Sequence, residues 1–304
     1  MSQPFSFEEI KNINNYTIKK PEIIKTHDGI NLAYYTFLPE CPKAIIIFYH
    51  GGGMYINKTY QWVAKELQEK YNIGSFMMDI RGHGNSQGKR GDAPKTESVF
   101  CDIDTIIDYV KTKFPDKPIY LCGHSSGAGL LLNYNSWKLR YGLNKSIKGY
   151  IFLAPFLGPN SGANKEHKNP KESFIKKARI WVYIINHISK GLLFNHTPAI
   201  FFNYPDELLK SDPLILKYYT TAMSKATSPY NPKLAFENIN IPFAIYIGQK
   251  DEQFIPEKVI EYKNYATKSN INIAKIIPDL KHLSILIEAP KLINEAIINF
   301  EKIS

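Results

Sequence analysis

A serine flanked by glycines sits where an apolar run gives way to a helical pattern. Residues 119–122 are followed by Gly123-His124-Ser125-Ser126-Gly127 and then by the helix-like stretch 128–137. The G-x-S-x-G spacing has a physical cause: a residue on so sharp a strand-to-helix turn takes strained backbone angles, and only flanking positions without side-chain bulk let strand and helix approach. The turn lifts the Ser125 hydroxyl above the sheet, and the helix N-terminus behind it favours negative charge as it develops. An ordinary glycine turn capped by two serines would account for these five residues but not for the pattern that follows.

An alkyl hydroxyl is a weak nucleophile at neutral pH, so it needs a base to take its proton and a further group to orient that base. Two late segments offer them. The strand-like run 243–249 ends in Lys250-Asp251-Glu252, and the run 271–277 ends in Pro278-Asp279-Leu280-Lys281-His282. Side chains just past C-terminal strand ends can converge from different loops, so Asp251 is expected as the orienting acid and His282 as the base. Glu252 and Asp279 are the competing carboxylates. His27, His167, His187 and His196 lie away from strand ends that face the site and read as surface or cap residues. His50, His83 and His124 occupy tight glycine loops, where an imidazole more often bonds backbone than does chemistry.

Attack on a carbonyl builds an oxyanion that fixed donors must meet, usually two backbone N–H groups. Ser126, just after the nucleophile, is expected to supply one. The other is expected from His50-Gly51-Gly52-Gly53, which follows the apolar run 44–49, with Gly52 preferred to Gly53. No lysine follows these glycines as in a phosphate-binding loop, and no G-x-G-x-x-G opens a helix, so no nucleotide cofactor is expected.

The elements that must carry these residues alternate between strand-length apolar runs and segments of helical period, the pattern of a mainly parallel sheet with helices on both faces. Runs 30–37, 44–49, 75–80, 119–122, 149–156, 243–248 and 271–277 read as strands, and 59–71, 97–114, 128–137, 257–265 and 290–300 as helices. From 157 to 233 the alternation breaks into aromatic-rich, helix-like pieces at 174–194 and 208–223, divided by Pro159, Pro170, Pro198, Pro205 and Pro213. This reads as a helical cap inserted over one edge of the sheet, with residues 1–156 and 234–304 forming the core.

At 304 residues the chain can bury a sizeable core without staples. Its net charge of +10 comes almost entirely from scattered lysine, with four arginines and no basic aromatic stripe, which argues against a nucleic-acid reader. Cys41, Cys101 and Cys122 are odd in number and widely spaced, which suits free thiols better than a disulfide framework or a metal site. The N-terminal twenty residues hold no apolar core of signal-peptide length and no run approaches a bilayer span. A cytoplasmic location follows as an expectation; the sequence says nothing of oligomeric state.

Together these pieces resemble the α/β-hydrolase superfamily, and more narrowly its monoglyceride lipase and lysophospholipase group, classified with serine aminopeptidases. The likeness rests on His50-Gly51-Gly52-Gly53, Asp79-Ile80-Arg81-Gly82-His83-Gly84-Asn85-Ser86, Gly123-His124-Ser125-Ser126-Gly127, Gly248-Gln249-Lys250-Asp251 and His282, with Asp212-Pro213-Leu214 in the cap. It implies an eight-stranded, mainly parallel sheet and cofactor- and metal-free hydrolysis of single-chain acyl esters through an acyl-enzyme. Ser125, Asp251 and His282 would form the triad, and Gly52 and Ser126 would be the oxyanion donors. Two departures concern the acyl pocket: the group usually carries a larger apolar residue where this chain has Ser126, and an acidic residue where it has Leu283.

The insertion adds its own indication. Phe174, Ile175, Ile180, Trp181, Ile184, Ile185, Leu192, Leu193, Phe194, Ile200, Phe201 and Phe202 exceed what a small lid needs for its own packing. They suit an apolar tunnel or a lid in transient contact with a membrane surface, against the plainer reading that they anchor the lid to the core. Two other functions remain open at this level. An aminopeptidase would need cap acids such as Glu166, Glu172, Asp206 or Glu207 aimed at Ser125, and a non-catalytic hydrolase-fold binder would have no use for a base aligned with a hydroxyl.

Overall fold

The continuous apolar runs become strands in which every residue is buried, as strands covered on both faces must be. The computed structural model describes residues 3–6, 18–142 and 146–302; much of the N-terminal twenty-residue stretch, expected to be no leader, lies outside them. In chain order, β1 (Glu22–Lys25) and β2 (Asn31–Phe37) precede β3 (Ala44–Tyr49), α1 (Lys58–Tyr71), β4 (Ile73–Met78), α2 (Thr96–Lys113), β5 (Ile119–His124), α3 (Ser126–Arg140) and β6 (Gly149–Leu153). A second stretch holds β7 (Ile175–Ala178), α4 (Ile180–Ile188), β8 (Pro198–Phe202), α5 (Asp206–Ser211), β9 (Tyr218–Thr220), α6 (Thr221–Thr227) and α7 (Pro232–Glu237). The chain then returns with β10 (Phe243–Gly248), α8 (Pro256–Ile260), a 3-10 turn (Glu261–Tyr265), β11 (Asn272–Ile277) and α9 (Ile285–Glu301).

Eight strands form one sheet in the order β1-β2-β4-β3-β5-β6-β10-β11. The pairs from β4 to β11 are parallel, and β2 runs antiparallel to both its neighbours. This is the mainly parallel, eight-stranded architecture that the resemblance implied. The strand β1 went unread in the sequence because it is a four-residue, mostly exposed edge with no apolar alternation. Helix α9 begins five residues before Pro290 rather than at it. A proline in the second turn removes one hydrogen bond, and burial of Ile285, Leu286 and Ala289 against the core outweighs that loss.

Residues 157–233 are not helical throughout. β7, β8 and β9 form a separate three-stranded antiparallel sheet with irregular register. Strands of three to five residues are too short for periodicity to declare, and their partners lie about twenty positions apart in the chain, so local pattern could not show them. The stretch is tied to loops of the main sheet: Leu216 N–H donates to Gly53 O at 2.8 Å and Thr220 N–H to Gly91 O at 2.9 Å. The Tyr55 hydroxyl donates to Asp212 at 2.7 Å, the Thr220 hydroxyl to buried Asp92 at 2.6 Å, and the Tyr204 hydroxyl to Gly52 O at 2.6 Å. Through these contacts the stretch packs against the loops after β3 and β4.

Candidate active site

Ser125 joins β5 to α3 with φ 54° and ψ −119°, a left-handed φ that costs a non-glycine residue energy and persists only where surroundings enforce it. The enforcement is visible. A Cβ on Gly123 would stand 2.5 Å from the Ala128 nitrogen, and one on Gly127 would stand 2.5 Å from the Tyr49 oxygen and 2.6 Å from the His50 oxygen. Strand β5, helix α3 and the end of β3 therefore meet without room for a methyl group. Ser125 N–H, donating to Leu153 O at 2.9 Å, ties the turn to β6.

The hydroxyl so presented lies 3.0 Å from His282 Nε2. On the far side of the ring, His282 Nδ1 lies 2.8 Å from Asp251 Oδ2. The three side chains thus form one hydrogen-bonded row, and none is more than 7% exposed. The other Asp251 oxygen accepts the N–H groups of Gln253 and Phe254, both at 2.9 Å, so the carboxylate is locked before it meets the ring. The rest of the ring is clamped by Phe5, stacked at 5.0 Å, by Phe254, edge-on at 5.1 Å, and by His124, tilted at 5.1 Å.

The competing carboxylates do not reach the imidazole. Glu252 accepts the His282 main-chain N–H at 2.9 Å and that of Ser6 at 3.0 Å. Asp279 is largely exposed and paired with Lys250 at 2.6 Å. Beside them Gly248 is indispensable, because a Cβ there would stand 2.3 Å from the Leu280 oxygen. Only glycine lets the end of β10 pass the loop that carries His282.

In the loop after β3, Gly51 N–H donates to the Tyr60 hydroxyl at 2.9 Å and Gly53 N–H to the Tyr219 hydroxyl at 2.8 Å. Gly52 N–H lies between them with no acceptor among the described residues, and the same holds for Ser126 N–H at the start of α3. Two neighbouring N–H groups are consumed while these two are left available.

The glycine-loop histidines bond backbone and hydroxyls. His50 donates from Nδ1 to Gly51 O at 2.9 Å and accepts Ile80 N–H at 3.2 Å. His83 donates to Arg81 O at 3.0 Å and accepts from the Tyr219 hydroxyl at 2.7 Å. Burial pushes His50 down to about 4 and His124 down to about 3, neighbouring His282 adding to the latter, and it holds His83 well below the usual imidazole range. All three stay neutral at physiological pH, which fits structural roles. The sequence reading missed Tyr60, Tyr219 and Phe5, which are ordinary aromatics in sequence and gain a role only through long-range contact.

The family model for serine aminopeptidase S33 matches residues 40–288, a span that contains Ser125, Asp251, His282 and the glycine loop after β3. The chain belongs to this family of α/β-hydrolases. Among relatives of this chain, an uncharacterized abhydrolase domain-containing protein of Dictyostelium discoideum is 32% identical over 135 residues, 44% of this chain and 13% of that protein. Human monoglyceride lipase is 30% identical over 221 residues, 69% of this chain and 66% of the relative. The chain thus spans less than two thirds of the length of either. A solved structure of a soluble variant of monoglyceride lipase from Saccharomyces cerevisiae, in complex with a substrate analog, superposes with a TM-score of 0.65 at 18% identity, covering 97% of this chain and 99% of that one. Among the described residues of the S33 hydrolase, no helix is long and apolar enough to cross a membrane, and no cluster of His, Cys, Asp or Glu is grouped to hold a metal ion.

Proposed function

We propose that this hydrolase cleaves carboxylic esters of single-chain lipids through an acyl-enzyme, with Ser125 as nucleophile, His282 as base and Asp251 as the acid that orients it. The observation that carries the reading is the row from Ser125 Oγ to His282 at 3.0 Å and from His282 to Asp251 at 2.8 Å. Nε2 takes the hydroxyl proton as Oγ bonds to the ester carbon, and the carbonyl π pair moves onto oxygen. The N–H groups of Gly52 and Ser126 meet that oxyanion. Collapse expels the alcohol, which carries away the proton from Nε2, and water repeats the sequence to release the acid and restore Ser125.

A lipid substrate is supported by the surroundings of the oxyanion loop. A Cβ built on Gly52 would meet Phe174 and Phe202 at 3.4 and 3.6 Å, and Phe174 stacks on Phe202 at 4.9 Å. We assign residues 157–233 as the cap that carries this apolar wall. Its outer surface exposes Ile180, Trp181, Ile184, Ile188, Leu192 and Leu193, interleaved with Lys176, Lys177, Arg179 and Lys190. A basic, amphipathic surface of this kind suits contact with an anionic membrane interface where such substrates reside.

The aminopeptidase alternative finds less support. Glu166, Asp206 and Glu207 are exposed, and the Glu172 carboxylate lies 3.4 Å from the Asn169 amide. The test is a panel of monoacylglycerols, lysophospholipids and acyl-thioesters, with a medium-chain aryl ester set against a proline arylamide, assayed on native protein and Ser125→Ala. Ester turnover and fluorophosphonate labelling that both vanish in Ser125→Ala are expected. A faster arylamide, or turnover that survives the substitution, overturns the reading.

A further inference from the structure

Ser126 Oγ is buried and has no hydrogen-bond partner among the described residues. An orphaned hydroxyl in such a place costs stability of the order of a lost hydrogen bond, so its position calls for a use. It faces the oxyanion loop: a Cβ built on Gly52 would stand 3.1 Å from it. The Tyr219 hydroxyl is near enough to feel Ser126 but does not hold its Oγ in hydrogen-bonding geometry. Tyr219 itself accepts Gly53 N–H and directs its own proton to His83 Nε2. Among the described residues the Ser126 hydroxyl thus holds no hydrogen bond, and it lies close to Gly52, whose N–H, like that of Ser126, has no acceptor there.

We propose that the Ser126 hydroxyl is a third donor to the developing oxyanion, which makes this side chain a catalytic residue beside the backbone of the same residue. An oxyanion has three lone pairs and the two N–H groups meet two of them; a rotatable hydroxyl with no competing acceptor can meet the third when the charge forms. The inference rests on the acyl-enzyme reading above.

Ser126→Ala keeps the backbone N–H and deletes the hydroxyl. On an aryl ester it is expected to lower kcat about 100-fold, the lower end of the range for loss of one oxyanion donor, with KM within about threefold of native. On the matching thionoester, whose sulfur is a poor acceptor, the loss should shrink to a few-fold at most, because the deleted donor has little to bind there. Ser126→Thr, which keeps a hydroxyl, should retain most of the native rate. Ser126→Gly gives a second hydroxyl-free form should the alanine variant fold poorly. Unchanged kcat in the folded hydroxyl-free variant, or equal losses on ester and thionoester, overturns the proposal. If native protein hydrolyses no ester and takes no fluorophosphonate label, or if Ser125→Ala stays active, the underlying reading fails and this proposal with it.

Discussion

His124 Nε2 lies 3.1 Å from the main-chain oxygen of His282, so the residue just before the proposed nucleophile grips the backbone of the proposed base. Its Nδ1 lies 2.8 Å from the Tyr60 hydroxyl, which accepts Gly51 N–H at 2.9 Å. One proton arrangement satisfies all three bonds: Gly51 donates to Tyr60, Tyr60 to His124 Nδ1, and His124 Nε2–H to the His282 carbonyl. The glycine loop after β3 and the backbone of His282 are thus coupled through two side chains, Tyr60 and His124.

Tyr60→Phe should expose that coupling. The ring is conserved in shape, but Gly51 N–H and His124 Nδ1 each lose a buried partner. We expect kcat to fall about tenfold with KM little changed, since a disturbed base geometry is felt mainly in the transition state. Steady-state kinetics on a soluble ester decide it, and a native rate in the variant would show that the chain positions nothing.

Phe5 stacks on His282 and against Phe174 at 4.9 Å, and its segment is held by Gln253, which donates to Pro4 O at 2.6 Å. With Ser125 and His282 this deeply covered, a substrate must displace something to enter. Phe5→Ala removes one cover without touching the row of hydrogen bonds, so fluorophosphonate labelling of Ser125 should quicken several-fold. Slower or equal labelling would mean that entry is governed elsewhere.

Acid should destabilise the fold well before ordinary carboxylates titrate. Burial holds His50, His83 and His124 below the 6.5 of a free imidazole, the first at about 4 and the last at about 3. Below pH 6.5 the unfolded chain therefore binds protons that the native state refuses, and stability falls as pH falls. Asp79 and Asp102 work the other way, since burial raises both to about 6 and the native state gains protons there. Three imidazoles against two carboxyls leave a net loss of roughly 3 kcal/mol between pH 7 and pH 5. Urea denaturation at the two values tests this, and equal or greater stability at pH 5 would refute it.

The exposed apolar surface of the proposed cap leads to a separate expectation. Replacing exposed Trp181 and Leu192 with glutamate should sharply reduce sedimentation with phosphatidylserine-containing vesicles, and turnover of a short soluble ester should stay within about twofold of native, because neither residue belongs to the hydrogen-bonded row. Undiminished vesicle binding would assign that surface to another purpose.

The amino-acid sequence by itself marked out seven of the eight strands of the main sheet and the proposed nucleophile. Continuous apolar runs of strand length, bounded by turn residues, suit strands covered on both faces, and glycines at 123 and 127 are needed because a Cβ at either would strike backbone, so local chemistry carried the signal. Asp251 and His282 were legible for a similar reason: each follows a strand end, and parallel strands deliver their C-terminal loops to one edge.

What only the tertiary structure decided were relations between distant segments. The partner of the imidazole among Asp251, Glu252 and Asp279 depends on where each carboxylate points once β10 and β11 pair. The free N–H of Gly52 is defined by Tyr60 and Tyr219 taking its neighbours, and the small sheet of β7, β8 and β9 exists because non-local pairing overrode short, ambiguous local patterns. The cover formed by Phe5 and the orphaned hydroxyl of Ser126 are likewise invisible in sequence, since hydrogen-bond satisfaction and exposure are properties of the packed chain and not of its order of residues.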